Sequence, residues 1–149
     1  MALLFLETSA LAKRYIIEEG TPHVLELFES EDRLAVSRLA LVEVTSAVVR
    51  RAKAGDISGD DLVSLLQTLE DDFRTRFSVI ELAAATITRS VDLVRAYALR
   101  AADAIQLGCA LMAAGGSPHS SNFLFVSSDE ELNAAARKEG FTILDPQRD

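Results

Sequence analysis

The apolar runs of this chain are short, lack alternation with polar residues, and are separated by stretches of helical length. LLFL at 3–6, RLAVS at 33–37, FSVIEL at 77–82, NFLFVS at 122–127 and FTIL at 141–144 read as strands. A strand with one wet face alternates apolar and polar side chains; these runs suit strands covered on both faces. Strands joined by helical crossovers pair in parallel, so the spacing predicts an α/β domain with a mainly parallel central sheet.

The intervening segments carry helix signals. Leu11, Tyr15 and Ile16 share one face of a first helix for which Thr8 and Ser9 offer caps, and Gly20-Thr21-Pro22 ends it and starts a second over 22–30. Ser37 caps a long helix over 38–54, stopped by Gly55, and Ser58 or Gly59 opens another over 59–74. Helices over 84–98 and 101–114 follow. Ser128 with Glu131 fits a capping box for a last helix, which runs to Lys138 and ends at Gly140.

With 149 residues, 49% hydrophobic and 26% charged, the chain is long enough for one core and too apolar for disorder, so a single domain over 1–149 is expected. Its apolar runs are too short to span a membrane. MALLFL has no basic leader and meets Glu7 almost at once, reading as a strand rather than a signal peptide. The one cysteine, Cys109, forms no internal disulfide and sits in the apolar run IQLGCALMA as a small hydrophobe. Both features predict a cytoplasmic protein.

A net charge of −8 argues against non-specific binding to a polyanion and predicts a basic partner. Basic residues nevertheless cluster at Lys13-Arg14, Arg38, Arg50-Arg51-Lys53, Arg89, Arg95 and Arg100. Most fit solvated helix faces, and a few are placed to flank a cleft and hold phosphate.

Four carboxylates interrupt this apolar pattern. Glu7 closes LLFL, and Asp129 follows FLFV and two serines, so both mark strand-to-helix transitions. In a parallel sheet such transitions gather at the carboxyl edge, where ligands bind. Glu43 lies in LALVEVTSAVV, one turn from Leu39, Ala40, Ser46 and Ala47, where an unpaired buried charge would cost several kcal/mol. Asp103 occupies the first turn of an otherwise apolar helix. Singly, Glu7, Asp103 and Asp129 are also explained by the helix dipole or capping. Jointly they predict convergence, with mutual repulsion relieved by protonation or by a shared divalent cation, the cation being the preferred reading.

FLETSALAKRY, SRLALVEVTSAVVRRAKAG, LRAADAIQLGCAL and FVSSDEELNAAARKEGFTILDP, in that order and spacing, resemble the PIN-domain family and within it the VapC-type toxins of prokaryotic toxin-antitoxin pairs. The resemblance implies a three-layer α/β/α fold with about five strands and hydrolysis of RNA dependent on Mg²⁺ or Mn²⁺. It also implies a homodimer, or a heterocomplex, neutralised by a VapB-like antitoxin whose tail covers the acidic cleft. It places the acidic site on Glu7, Glu43, Asp103 and Asp129, with Thr8 and Ser127 supporting it by hydrogen bonds. Glu7, Asp103 and Asp129 are then the expected metal ligands, and Glu43 orients water or completes the set. Arg38 and Arg100 are candidate phosphate contacts.

One position departs from the family pattern. Aspartate is ordinary where this chain has Glu7, and the extra methylene carries the carboxylate roughly 1.5 Å outward, against the about 0.5 Å tolerance of a preorganised site. Two other readings therefore stand beside an active nuclease: a catalytically inactive PIN-like module that pairs with an antitoxin, and a phosphoryl-acceptor α/β domain. His23 and His119 lack ligand spacing and read as surface residues; glycine-rich nucleotide motifs are absent.

Overall fold

Every strand of this protein pairs in parallel. In the computed structural model, which describes residues 1–149, β1 (Leu3–Leu6), β2 (Arg33–Ser37), β3 (Phe77–Ile80), β4 (Phe123–Val126) and β5 (Thr142–Leu144) form one sheet in the order β3-β2-β1-β4-β5. The helices are α1 (Thr8–Leu11), α2 (Thr21–Glu29), α3 (Arg38–Lys53), α4 (Gly59–Thr75), α5 (Ala84–Tyr97), α6 (Ala101–Ala114) and α7 (Glu130–Lys138).

Side-chain alternation along the strands divides the core in two. Leu4, Leu6, Leu34, Val36 and Val126 point to the face covered by α1 to α4, where Leu11, Val24, Phe28, Val44, Val48, Leu69 and Phe73 meet them. Phe5, Ala35, Phe123 and Phe125 point the other way, onto Leu93, Leu107, Cys109, Leu132 and Ala136 from α5, α6 and α7. The result is the expected three-layer arrangement. Phe5 and Phe125 stack at 5.9 Å with both rings fully buried, each worth about 2–3 kcal/mol of apolar burial.

Four local expectations are corrected. The first helix makes one α turn and tightens into a 3₁₀ turn over Ala12–Arg14, because the Thr21 hydroxyl bonds the carbonyls of Lys13 (2.9 Å) and Ile16 (3.2 Å) that a continuing helix would use. Its N-cap is Glu7, not Thr8 or Ser9. Asp129, not Ser128, caps α7: its carboxylate accepts from the Leu132 amide at 3.0 Å, while the Ser128 hydroxyl is drawn to Asp145 at 2.8 Å. The third strand stops at Ile80, leaving Glu81 outside it and exposed. Ser37 and Ser58 cap α3 and α4 as anticipated.

One charged network lies within the packed layers. Asp72 of α4 is buried and accepts at one oxygen from Arg14 Nε (2.9 Å) and the Tyr15 hydroxyl (2.7 Å), while the Arg14 guanidinium rests 4.3 Å from the Phe28 ring centre. Burial pushes the Tyr15 phenol far above its usual range, and the bond to Asp72 adds to that.

Candidate active site

The sheet order reverses at β1: the chain moves outward on one side to β2 and β3, then returns to place β4 on the other side. In a parallel sheet the carboxyl edge beside such a reversal is where ligands bind. Leu6 is in register with Val126, and the Glu7 amide bonds the Val126 carbonyl at 3.0 Å, which brings Glu7 and Ser127 side by side.

Glu7 is almost wholly buried, at 4% exposure. Its Oε2 accepts from the Ser9 amide at 3.0 Å and the Ser9 hydroxyl at 2.5 Å. No lysine or arginine pairs with it. Burial pushes its pKa up to about 7; the Ser9 bonds and the Ser127 hydroxyl oppose the rise, and the charge of Asp129 adds to it. Ser9 also accepts the Ser128 amide at 2.9 Å and lies 3.4 Å from the Ser127 hydroxyl, joining the loop after β1 to the loop after β4. Ser127 in turn accepts from the Asp129 amide at 3.1 Å, orienting the turn that presents Asp129.

Glu43 is half-buried on α3. Its Oε1 accepts from the Thr8 hydroxyl at 2.8 Å and from Gln106 Nε2 at 2.7 Å, so α1, α3 and α6 meet at this oxygen. Asp103, also half-buried, stands in the first turn of α6. Its pKa is raised, first by burial and then by the charges of Asp129 and Glu43, with Arg100 opposing. Asp129 thus acts on both Glu7 and Asp103, and Glu43 on Asp103, so charge links the four segments that carry these acids.

Of the two supporting candidates, Thr8 donates to Glu43 and Ser127 accepts from the Asp129 amide. The two arginines differ in placement: Arg100 lies at the start of α6, where its charge reaches Asp103, whereas Arg38 is held by exposed Glu81, 2.5 Å from Nη2 to Oε1. His23 is half-buried on α2 and His119 exposed in the loop before β4. Burial pushes the Cys109 thiol up to about 12, consistent with an inert core position. Sequence reading missed Ser9 and Gln106. Gln106 was open to detection by the test applied to Glu43, being a polar residue in an apolar helix, one turn from Asp103.

The donors are oxygens only, a set suited to a hard divalent cation. A buried carboxyl at Glu7 without a basic partner, and an Asp103 destabilised by neighbouring anions, are what an added positive charge would relieve. The side chains nonetheless stand apart: no group of three or more His, Cys, Asp or Glu residues is arranged to hold a metal ion as it stands. The Glu7 carboxylate is turned to Ser9. A cation would have to draw the carboxylates together.

A parallel sheet with helices on both faces and acids at its switch point defines a class of α/β domain with an acidic edge. Within that class, the PIN domain model matches residues 4–138, and the chain belongs to the PIN domain family. Ribonuclease VapC45 and Ribonuclease VapC49 of Mycobacterium tuberculosis are each 31% identical over 149 residues, covering 100% of this chain and 99% of the relative. The fold is similar to FitAcB from Neisseria gonorrhoeae (TM-score 0.70, 15% identity, 97% of this chain and 99% of that one). It is also similar to VapBC2 from Rickettsia felis bound to a DNA fragment from their promoter (TM-score 0.63, 16% identity, 96% and 98% covered). The family match leaves the phosphoryl-acceptor reading without support. No helix is long and apolar enough to cross a membrane.

Proposed function

We propose that this protein is a metal-dependent endoribonuclease toxin of a toxin-antitoxin pair, hydrolysing RNA phosphodiester bonds at the acidic crevice. The feature that supports the reading is the electrostatic coupling of Glu7 to Asp129, and of Asp103 to Asp129 and Glu43, at the carboxyl edge of a PIN domain fold. Relatives called VapC ribonucleases, matched over their whole length, supply the substrate class.

Glu7 and Asp103 would hold Mg²⁺ or Mn²⁺ directly, and Asp129 directly or through water. When bound, such an ion lowers the pKa of a coordinated water and offsets charge growing on the phosphoryl oxygens. Glu43, fixed through Oε1, presents Oε2 to orient the attacking water and take its proton as the water oxygen bonds to phosphorus and the ester oxygen departs. Arg100 is placed to approach the phosphate beside Asp103. Arg38 would do so only by leaving Glu81.

The partner proposed is a VapB-like antitoxin with a basic segment whose arginine enters the carboxylate crevice. Structures similar to this one include the VapBC2 complex from Rickettsia felis and a toxin-antitoxin complex from Klebsiella pneumoniae. A homodimer is also proposed: Val42 and Val49 on α3 and Val91 on α5 are exposed apolar residues of the kind a second copy would cover. The site of action is the cytoplasm.

Glu7 motivates one competing reading, an inactive module retained for partner binding, because its carboxylate is engaged by Ser9. The test is cleavage of total cellular RNA with mapping of the ends, comparing this protein and Glu7→Asp with and without Mn²⁺. Mn²⁺-dependent ends from the protein as it stands support an active nuclease. Cleavage by Glu7→Asp alone identifies an intact fold with an impaired site, and no cleavage by either overturns the nuclease reading.

A further inference from the structure

Gln106 is 1% exposed on a helix that is otherwise apolar around it, and its amide is used at one end only. Nε2 donates to Thr8 Oγ1 at 2.9 Å and to Glu43 Oε1 at 2.7 Å. Oε1 is buried with no hydrogen-bond partner. Turning the amide over would set its oxygen against the Glu43 carboxylate, so chemistry dictates the orientation and leaves the oxygen stranded. A buried acceptor without a partner is disfavoured. An apolar side chain would fill the same space in α6 without that penalty, and local rules broken in this way mark functional positions.

The triangle of Thr8, Glu43 and Gln106 closes on one carboxylate oxygen. Thr8 Oγ1 and Gln106 Nε2 both bond Glu43 Oε1, and no protein donor bonds Oε2. Gln106 also lies three residues after Asp103, on the same side of α6. One buried amide therefore ties the orientation of Glu43 on α3 to the helix that carries Asp103. We infer that Gln106 is a positioning residue for RNA hydrolysis, holding Glu43 so that Oε2 faces the reacting centre, an inference that rests on the nuclease reading above.

Gln106→Leu and Gln106→His, each made in the full chain and in the Glu7→Asp background, test this. Mn²⁺ affinity is read by titration calorimetry, cleavage of a fluorescent RNA by steady-state kinetics, and folding by Tm. Gln106→Leu is expected to lower kcat about 10- to 100-fold, as loss of an orienting partner does, with KM for RNA little changed and Tm equal or higher. Mn²⁺ affinity is expected to fall as well. Gln106→His keeps an N–H donor at similar reach and is expected to recover much of kcat. Unchanged kcat in Gln106→Leu, or equal impairment in both variants, overturns the inference while leaving the nuclease reading intact. Absence of Mn²⁺ binding and of cleavage in both backgrounds with Gln106 present overturns the two together.

Discussion

The Ser9 hydroxyl stands 2.5 Å from Oε2 of Glu7 and holds that carboxylate against the start of α1. The Glu7 carboxylate thus finds its partner two residues along the chain. That contact joins the stability of the fold to the state of the site.

Burial pushes the Glu7 carboxyl up to about 7 from an ordinary 4.5. Between those values the folded state holds a proton that the unfolded state has lost, so stability falls as pH rises through the window, by about 3 kcal/mol at most. Denaturant unfolding from pH 4.5 to 8 is expected to show this slope, and Glu7→Gln to flatten it and raise stability at pH 8. A slope unchanged in Glu7→Gln assigns the effect to another group.

Ser9→Ala removes a bond that lowers the Glu7 pKa and leaves the Ser128 amide without its acceptor. The pKa of Glu7 is expected to rise further and stability to drop by about 1–2 kcal/mol. Carboxyl ¹³C NMR titration follows the first effect and urea unfolding the second.

Removing one partner of the Asp72 network strands the others. Asp72→Ala is expected to cost about 2–3 kcal/mol, at or below the usual range for a buried pair because the Arg14 side chain keeps 20% exposure. Asp72→Asn, which retains an acceptor for Tyr15, is expected to cost less. Equal losses in the two variants would show that charge contributes little.

Gly108 allows α6 to approach α5: a Cβ there would stand 2.5 Å from the Ser90 hydroxyl. Gly108→Ala is expected to destabilise by about 1–3 kcal/mol through overpacking. Adding Ser90→Ala should return part of that loss, and strict additivity in the double-mutant cycle would rule out the steric contact as its cause.

Asp103→Asn removes a carboxylate whose pKa is raised by burial and by Asp129 and Glu43. Mn²⁺ binding followed by calorimetry is expected to weaken about tenfold or more. Equal affinity in the two proteins would remove Asp103 from the ligand set.

The architecture was legible in the sequence because its signals are local. Unalternating runs such as LLFL and FLFV require cover on both faces, and serines at 37 and 58 announce the helices they cap. The positions of Glu7, Glu43, Asp103 and Asp129 also stood out, since a charge within an apolar run needs a reason wherever the chain goes. What stayed hidden depended on distance between segments. Thr8 or Ser9 fits a cap as well as Glu7 does until Ser128, far along the chain, brings its amide to Ser9. Gln106 looks like a helix residue until Thr8 and Glu43 arrive beside it.

By itself the sequence determined which segments become strands and helices and which acids are anomalous, because periodicity and desolvation act on each segment alone. The tertiary structure alone decided that β1 and β4 would be neighbours, that Glu7 would turn to Ser9, and that Gln106 would bond Glu43 through one oxygen. Hydrogen bonds need donor and acceptor within a few ångströms, and repulsion among carboxylates depends on their separation and burial, so both are set only once packing has fixed the distances.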